Sequence, residues 1–311
     1  MVGLVFALQQ AAEGWSWSSA LVASCFVVSA ILWPAFIVWE WLVTSRGDVQ
    51  EPVFPWRFVK NRVVLGLLLS TFFTGVLFTV CVIQLPLKFQ AEYDTSPLSA
   101  GIYLLPFTLA CPTGSFVVAI LTRPGGDMPP ILMLLIGAGF QIIGVSLMST
   151  VKITKEIWTG QYGYEVITGL GVGMSIGAAS IIAPFIIEIE SDLCKNFFTG
   201  LKMVLIKYTA VIASSVVQFR VMGGAVGLAV VTCIANTYIK SHLVGLLTDT
   251  EIVAVFESLA TISKLPLQVQ EIVRSMFARG FILQMKTLIG FGVVQFPAVA
   301  LMWQKKAIRV T

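Results

Sequence analysis

Residues 63–87 run without a single charged side chain. About 20 apolar residues of helix cross the hydrocarbon core of a bilayer. In lipid every backbone N–H and C=O must find a partner inside the protein, and only helices and closed barrels manage that. A barrel strand needs only about half this length, so the run predicts a transmembrane helix. Comparable runs recur at 19–43, 100–121, 131–151, 162–187, 210–239 and 281–303, separated by polar connections. Seven spans result. Before them stands an apolar stub, residues 1–8, too short to span and lacking the basic start and small-residue cleavage site of a signal peptide. It reads as the tail of a helix whose beginning precedes the sequence.

Composition closes off other classes. Charged residues are 12 %, against roughly 25 % in soluble domains. Mean hydropathy is +0.90. The fold expected is all-α and polytopic. A net charge of +4 needs no nucleic acid to explain it, because basic cytosolic connections suffice. Cys25, Cys81, Cys111 and Cys233 lie in apolar runs and Cys194 stands alone, so neither a disulfide framework nor a metal site is indicated. His242 is the only histidine. No carboxylate pair, nucleophile–base set or phosphate loop is present; Gly-Leu-Gly-Val-Gly at 169–173 lies inside a span, not after a strand. The chain is read as no enzyme, without metal or cofactor.

The connections suggest an orientation. Arg46, Arg57, Lys60, Arg62, Arg123, Lys305, Lys306 and Arg309 fall on one side, against Lys88, Lys152 and Lys155 on the other. The Lys/Arg-rich side is cytosolic. Trp15 and Trp17 precede the first span and Trp39 and Trp41 end it, as interfacial aromatic belts do. Residues 88–99 are expected as a polar outer loop and 122–130 as a tight turn. Residues 240–280 are expected as a long outer connection. Within it Val269, Ile272, Val273, Met276 and Phe277 repeat at the spacing of an amphipathic helix, lying on the membrane or capping the bundle.

One stretch combines charge with small residues. In Gln-Phe-Arg-Val-Met-Gly-Gly-Ala-Val-Gly at 218–227, Gly224 lies four residues from Arg220, and Gly223 and Gly227 are four apart. Those positions share a helical face, and glycines there let another helix approach closely. Arg220 either snorkels to headgroups or sits buried near mid-membrane with a partner in a neighbouring helix.

Five motifs in order carry a family resemblance: W-S-W-S-S at 15–19, Q-L-P-L-K-F-Q at 84–90, L-S-A-G-I-Y-L-L-P-F at 98–107, Y-G-Y-E-V-I-T-G-L-G-V-G at 162–173 and Q-F-R-V-M-G-G-A-V-G-L-A at 218–229. Together they resemble the fungal branch of the fourteen-span drug:proton antiporters of the major facilitator superfamily. The resemblance implies the C-terminal part of such a pump. Residues 1–62 would hold the tail of one span, one full span and a cytosolic linker; 63–311 would be the six-helix C-terminal bundle. It further implies proton-coupled export of small, largely apolar compounds, such as a fungal secondary metabolite or toxin, across the plasma membrane, with a vacuolar or vesicle membrane as the alternative. The partners would be the lipid bilayer, the small-molecule substrate, protons and a missing N-terminal bundle, with no nucleic acid.

Two departures accompany it. The N-terminal bundle of the family has no counterpart here, and only an echo of its first cytosolic loop survives at 114–129, with Arg123 and Gly125. Alternating access uses two bundles around a midplane site. Residues 194–209 fit nothing in the pattern, because Glu190-Ser191-Asp192-Leu193 would join cleanly to Ala210-Val211. They read as an insertion or retained intron, which transcripts carrying these codons would refute; the physical alternative is an interfacial helix. A truncated remnant or incomplete gene model of such a pump, and a seven-span receptor, are the competing readings.

Polar residues inside spans mark substrate or ion paths. The pathway candidates are Gln84, Phe89, Tyr103, Phe107, Gln218 and Arg220, and Glu165 is the proton-coupling candidate. Each has a plainer role: a helix–helix bond for Gln84, packing for the aromatics, an interfacial carboxylate for Glu165. Gly169, Gly171, Gly173, Gly177, Gly223, Gly224 and Gly227 are read as packing positions, Lys286 as a snorkelling lysine, and Gln141 and Gln295 as peripheral.

Overall fold

Asn61 begins the bundle. Its side-chain oxygen accepts from the Val63 N–H at 3.0 Å, and helix α2, Arg62–Tyr93, follows. Before it stands α1, Ala20–Arg46. The computed structural model describes residues 3, 5–7, 10, 19–46, 60–123, 128–154, 156–192 and 201–303. Trp15, Trp17, Gly125, Cys194 and the tail at Lys305, Lys306 and Arg309 lie outside the described residues.

Asp94, in the left-handed region at φ 57°, stops α2. Ser96 then caps α3, Pro97–Tyr103, with Pro97 in its first turn. Pro106 lacks the N–H that would continue that helix. The span expected at 100–121 is therefore two helices, with α4 at Leu105–Leu121. Next come α5, Pro130–Ser149, and α6, Gly160–Asp192. Helix α7, Leu201–Leu243, is one helix of 43 residues, about 65 Å long. It runs unbroken through 201–209, the described part of the suspected insertion, so that part is collinear with the span and not a separate interfacial helix.

The outer connection differs from expectation. A short helix α8, Asp249–Glu257, and a 3₁₀ turn, Leu259–Lys264, fold over the bundle end. Thr248 and Glu251 form a reciprocal capping box on α8, which holds the Glu251 carboxyl below its ordinary range. The apolar repeat from Val269 to Phe277 is not a separate helix lying on the membrane; of the two expected placements it takes the second, packing into the cap of the bundle. It forms the first turns of α9, Leu267–Ala300, which continues through the membrane. Its Val273 packs with Ile239, Leu243, Ile252, Val255 and Ile262 in a small core that seals the cap to the bundle. The apolar face therefore has protein to cover, not lipid.

Seven helices among the described residues are long and apolar enough to cross a membrane. With α3 and α4 counted together as one span, six of them form the bundle: α2 packs on α7 and α9, α4 on α6, and α5 on α6 and α9. Helix α1 stays largely exposed, with Val27, Ile31, Leu32 and Trp39 presenting an apolar surface all round. That is the surface lipid requires.

Small residues set the closeness of the pairs. Gly169, Gly173 and Gly177 lie at four-residue intervals on α6 and abut Phe107, Cys111 and Ser115 of α4, while Gly171 turns to Gly137 and Gln141 of α5. On α7, Gly223, Gly224 and Gly227 meet Phe72, Thr79 and Val76 of α2, and Gly75 returns the contact against the Arg220 backbone. A Cβ at Gly173 would strike the Cys111 carbonyl itself. Backbone-to-backbone approach of this kind is how helices gain affinity in lipid.

Candidate substrate and proton site

Where α2 ends and α6 begins, at the outer end by the charge bias, four polar side chains are enclosed. Lys88 of α2 donates to Gln161 Oε1 at 2.8 Å, and Gln161 Nε2 donates to Glu165 Oε1 at 3.2 Å, both on α6. Lys88 Nζ also lies 3.8 Å from Glu92 Oε2, one turn on along α2, and 4.8 Å above the Phe281 ring. Glu165 and Gln161 are fully buried, and Glu165 Oε2 has no hydrogen-bond partner among the described residues. The track runs Lys88–Gln161–Glu165 through otherwise apolar packing. A carboxyl with one free oxygen at its end can receive a proton, and a lysine at the other can answer its charge.

Lys88 and Glu92 correct the loop expected at 88–99. Helix α2 carries on to Tyr93 because Phe89 and Ala91 bury between them, leaving only residues 94–96 outside helix. With Lys88 inside the protein, the outer connections are poorer still in lysine and arginine. The signal for this cluster was present: Gln84, Lys88 and Glu92 repeat every four residues on α2, as do Gln161 and Glu165 on α6.

The other candidates disperse. Gln84 Nε2 donates to Thr232 Oγ1 of α7 at 3.0 Å, a helix-to-helix bond. Phe89 is buried with its ring 5.2 Å from Tyr103, which in turn lies 6.1 Å from Tyr162, so three helices share an aromatic ladder beside the charged track. Phe107 is buried and stacked on Phe78 at 6.2 Å. Gln218 is exposed and Arg220 half-buried. Their place is set by Gly75, which touches the Arg220 backbone and stands thirteen residues before Lys88, about 20 Å along α2. Arg220 thus lies beside the middle of α2, and the structure does not bring it together with Glu165. Lys286 is exposed. Gln141 and Gln295, set aside because the resemblance places their helices at the bundle periphery, are fully buried: Gln141 Nε2 donates to Gly171 O and Ser175 Oγ at 3.1 and 2.7 Å, and Gln295 Nε2 to Thr74 Oγ1 at 2.9 Å. They fasten α5 to α6 and α9 to α2.

A second ionic site closes the outer end from above. Arg274 of α9 pairs with Asp94 at 3.1 Å and donates to the Glu92 carbonyl at 3.4 Å, while Ser263 Oγ donates to Asp94 Oδ1 at 2.8 Å. The Ser263 bond, then the Arg274 bond and charge, hold the Asp94 carboxyl below its ordinary value. Nothing in the residues' spacing pointed to this latch, because its members are 169 residues apart in the chain.

Membrane-length helices packed through glycines, with Lys88, Glu92 and Glu165 enclosed among them, define a polytopic membrane bundle. The crystal structure of a bacterial homolog of the human lysosomal transporter Spinster shares the fold: TM-score 0.54 over 92 % of this chain and 58 % of that one, at 14 % identity. No family model matches the chain. The MFS-type transporter FPY5 of Fusarium mangiferae is 35 % identical over 303 residues, 97 % of this chain and 48 % of that protein. The MFS-type transporter patC of Penicillium expansum is 30 % identical over 56 % of this chain and 31 % of its own length. Over nearly its whole length the chain is thus similar to fungal MFS-type transporters. It spans about half the length of FPY5 and a smaller share of patC.

Proposed function

We propose that this chain forms part of an efflux transporter that exports small, largely apolar compounds, a fungal secondary metabolite or toxin among them, with proton uptake at Glu165. The observation that carries the reading is the enclosed track Lys88–Gln161–Glu165, a buried lysine and carboxylate joined through one amide inside an apolar bundle. Ionisable groups kept inside membrane bundles serve proton relays and substrate paths by default. Export, as the direction of transport, is supported by relatives such as the efflux pump patC of Aspergillus clavatus, 27 % identical over 68 % of this chain. The plasma membrane is the site that export from the cell requires.

Two carboxylates, Glu92 and Glu165, stand around one lysine. Protonation of Glu165 frees Gln161 to reorient, and with it the Lys88 contact that joins α2 to α6. A proton there changes how two bundle helices are tied, which is the link coupled transport needs. The test is export of toxic apolar metabolites from cells expressing the protein with and without Glu165→Gln. Wild type should lower accumulation in proportion to the proton gradient, and the variant should lose the gradient dependence while reaching the membrane in equal amount. Equal, gradient-driven export by both would remove Glu165 from the mechanism. No export by wild type under a proton gradient would remove the function.

A further inference from the structure

A cavity of about 190 Å³ lies between the outer thirds of α2, α7 and α9, roofed by Phe256 and Leu259 of the outer cap. Its floor is polar, with Gln84, Lys88 and Gln284, and its wall aromatic, with Phe256, Phe277 and Phe281. Gln284 is 6 % exposed and makes no hydrogen bond to any described residue. A buried amide is normally satisfied, and one turned into a cavity without a partner is a group waiting for a ligand. Drug-sized sites run to roughly 300–1,000 Å³. This one suits a smaller guest.

The lining restricts its chemistry. Phe256 and Phe277 stand 5.9 Å apart, centroid to centroid, and Phe281 carries Lys88 over its face. Such walls take a flat ring by stacking or edge contact. The Gln284 amide offers two donors and an acceptor, the complement of a carboxamide or lactam. Lys88 is already engaged by Glu92 and Gln161, so the floor has little unbalanced positive charge for an anion.

We infer that this cavity is a binding site for a small, neutral aromatic carboxamide or lactam, held by Gln284 against the phenylalanine wall. It is formed by helices of this chain and its outer cap, and it stands whether or not the chain exports anything. The two claims are separable because the site is read by binding alone.

The experiment follows the ¹⁹F signal of 4-fluorobenzamide with the purified chain in detergent. The expected result is a broadened, saturable signal restored by excess unlabelled benzamide, with 4-fluorobenzoate bound at least tenfold more weakly. Gln284→Leu should weaken benzamide at least tenfold. Should that variant not fold, Leu259→Trp, placed in the cap outside the membrane, fills the cavity mouth and should abolish binding by itself. Benzamide bound unchanged by the folded variants, or benzoate bound equally well, overturns the site; so does a signal that never saturates.

Discussion

The middle of the bundle and its outer third are held by opposite means. In the middle, glycines of α6 and α7 bring backbones into direct contact with α4 and α2, and there is no room for a side chain, polar or otherwise. In the outer third α2 and α6 meet through the side chains of Lys88, Glu92, Gln161 and Glu165. Packing by backbone contact has one geometry. Packing through a hydrogen-bonded chain of side chains has more than one, since an amide can turn and a proton can leave. The close-packed middle would therefore serve as a fulcrum, and the outer third is where a chemical change would act on the contacts between helices. Arg220 belongs to the first region by its backbone and to neither by its half-exposed side chain.

The comparison breaks most sharply at Lys88. Lys88→Met strands two carboxylates in an apolar setting, and removing one partner of a buried pair costs about 3–5 kcal/mol. Adding Glu165→Gln to it should recover part of that loss, because the two residues act through one amide and their effects do not add. Thermal unfolding of the single and double variants in detergent measures this. Additive losses would show that Lys88 and Glu165 are independent and that the track is not a unit.

Next in size is the glycine contact. Gly173→Ala puts a methyl on the Cys111 carbonyl, and overpacking of this kind costs about 1–3 kcal/mol. Gly163→Ala, on the same helix with open space beside it, should cost nothing measurable or stabilise slightly. A melting temperature for Gly173→Ala equal to that for Gly163→Ala would mean that α4 and α6 can part at no cost, and that the middle is no fulcrum.

These two regions were not equally legible in the residues. The spans and their glycine faces follow from periodicity, because Gly169, Gly173 and Gly177 fall on one face whatever the neighbour is. The outer third was obscured by reading charge as exposure: Lys88 and Glu92 ended a span on hydropathy, although their four-residue spacing from Gln84 kept them on a buried helical face. Pro106 was legible as an interruption of its span, and its missing N–H does divide that apolar run into two helices, whereas Pro112, the other expected interruption, stays inside α4. The cap was legible only in part: the apolar repeat from Val269 to Phe277 offered capping as one of two placements, but the short elements it packs against were not foreseen. Its short elements are fixed by local bonds, such as the Thr248–Glu251 box, and by contacts with residues far away in sequence.

The smallest effect belongs to the latch that joins this cap to the outer third. Asp94 is half exposed, so its pairing with Arg274 is screened by solvent and is worth no more than about 1 kcal/mol. The sign of its pH dependence is nonetheless fixed. A carboxyl whose pKa is lowered on folding stabilises the fold fully above its ordinary value of 3.8, and that contribution fades as pH falls through the lower folded value. Asp94→Asn should therefore melt slightly below wild type at pH 7, and the gap should close in acid below pH 3.8. Raising salt at pH 7 should narrow the same gap, whereas the Lys88→Met loss, buried from ions, should hardly respond. A salt-insensitive Asp94 effect with a salt-sensitive Lys88 effect would invert the comparison, placing the enclosed charges at the latch and the solvated ones in the track.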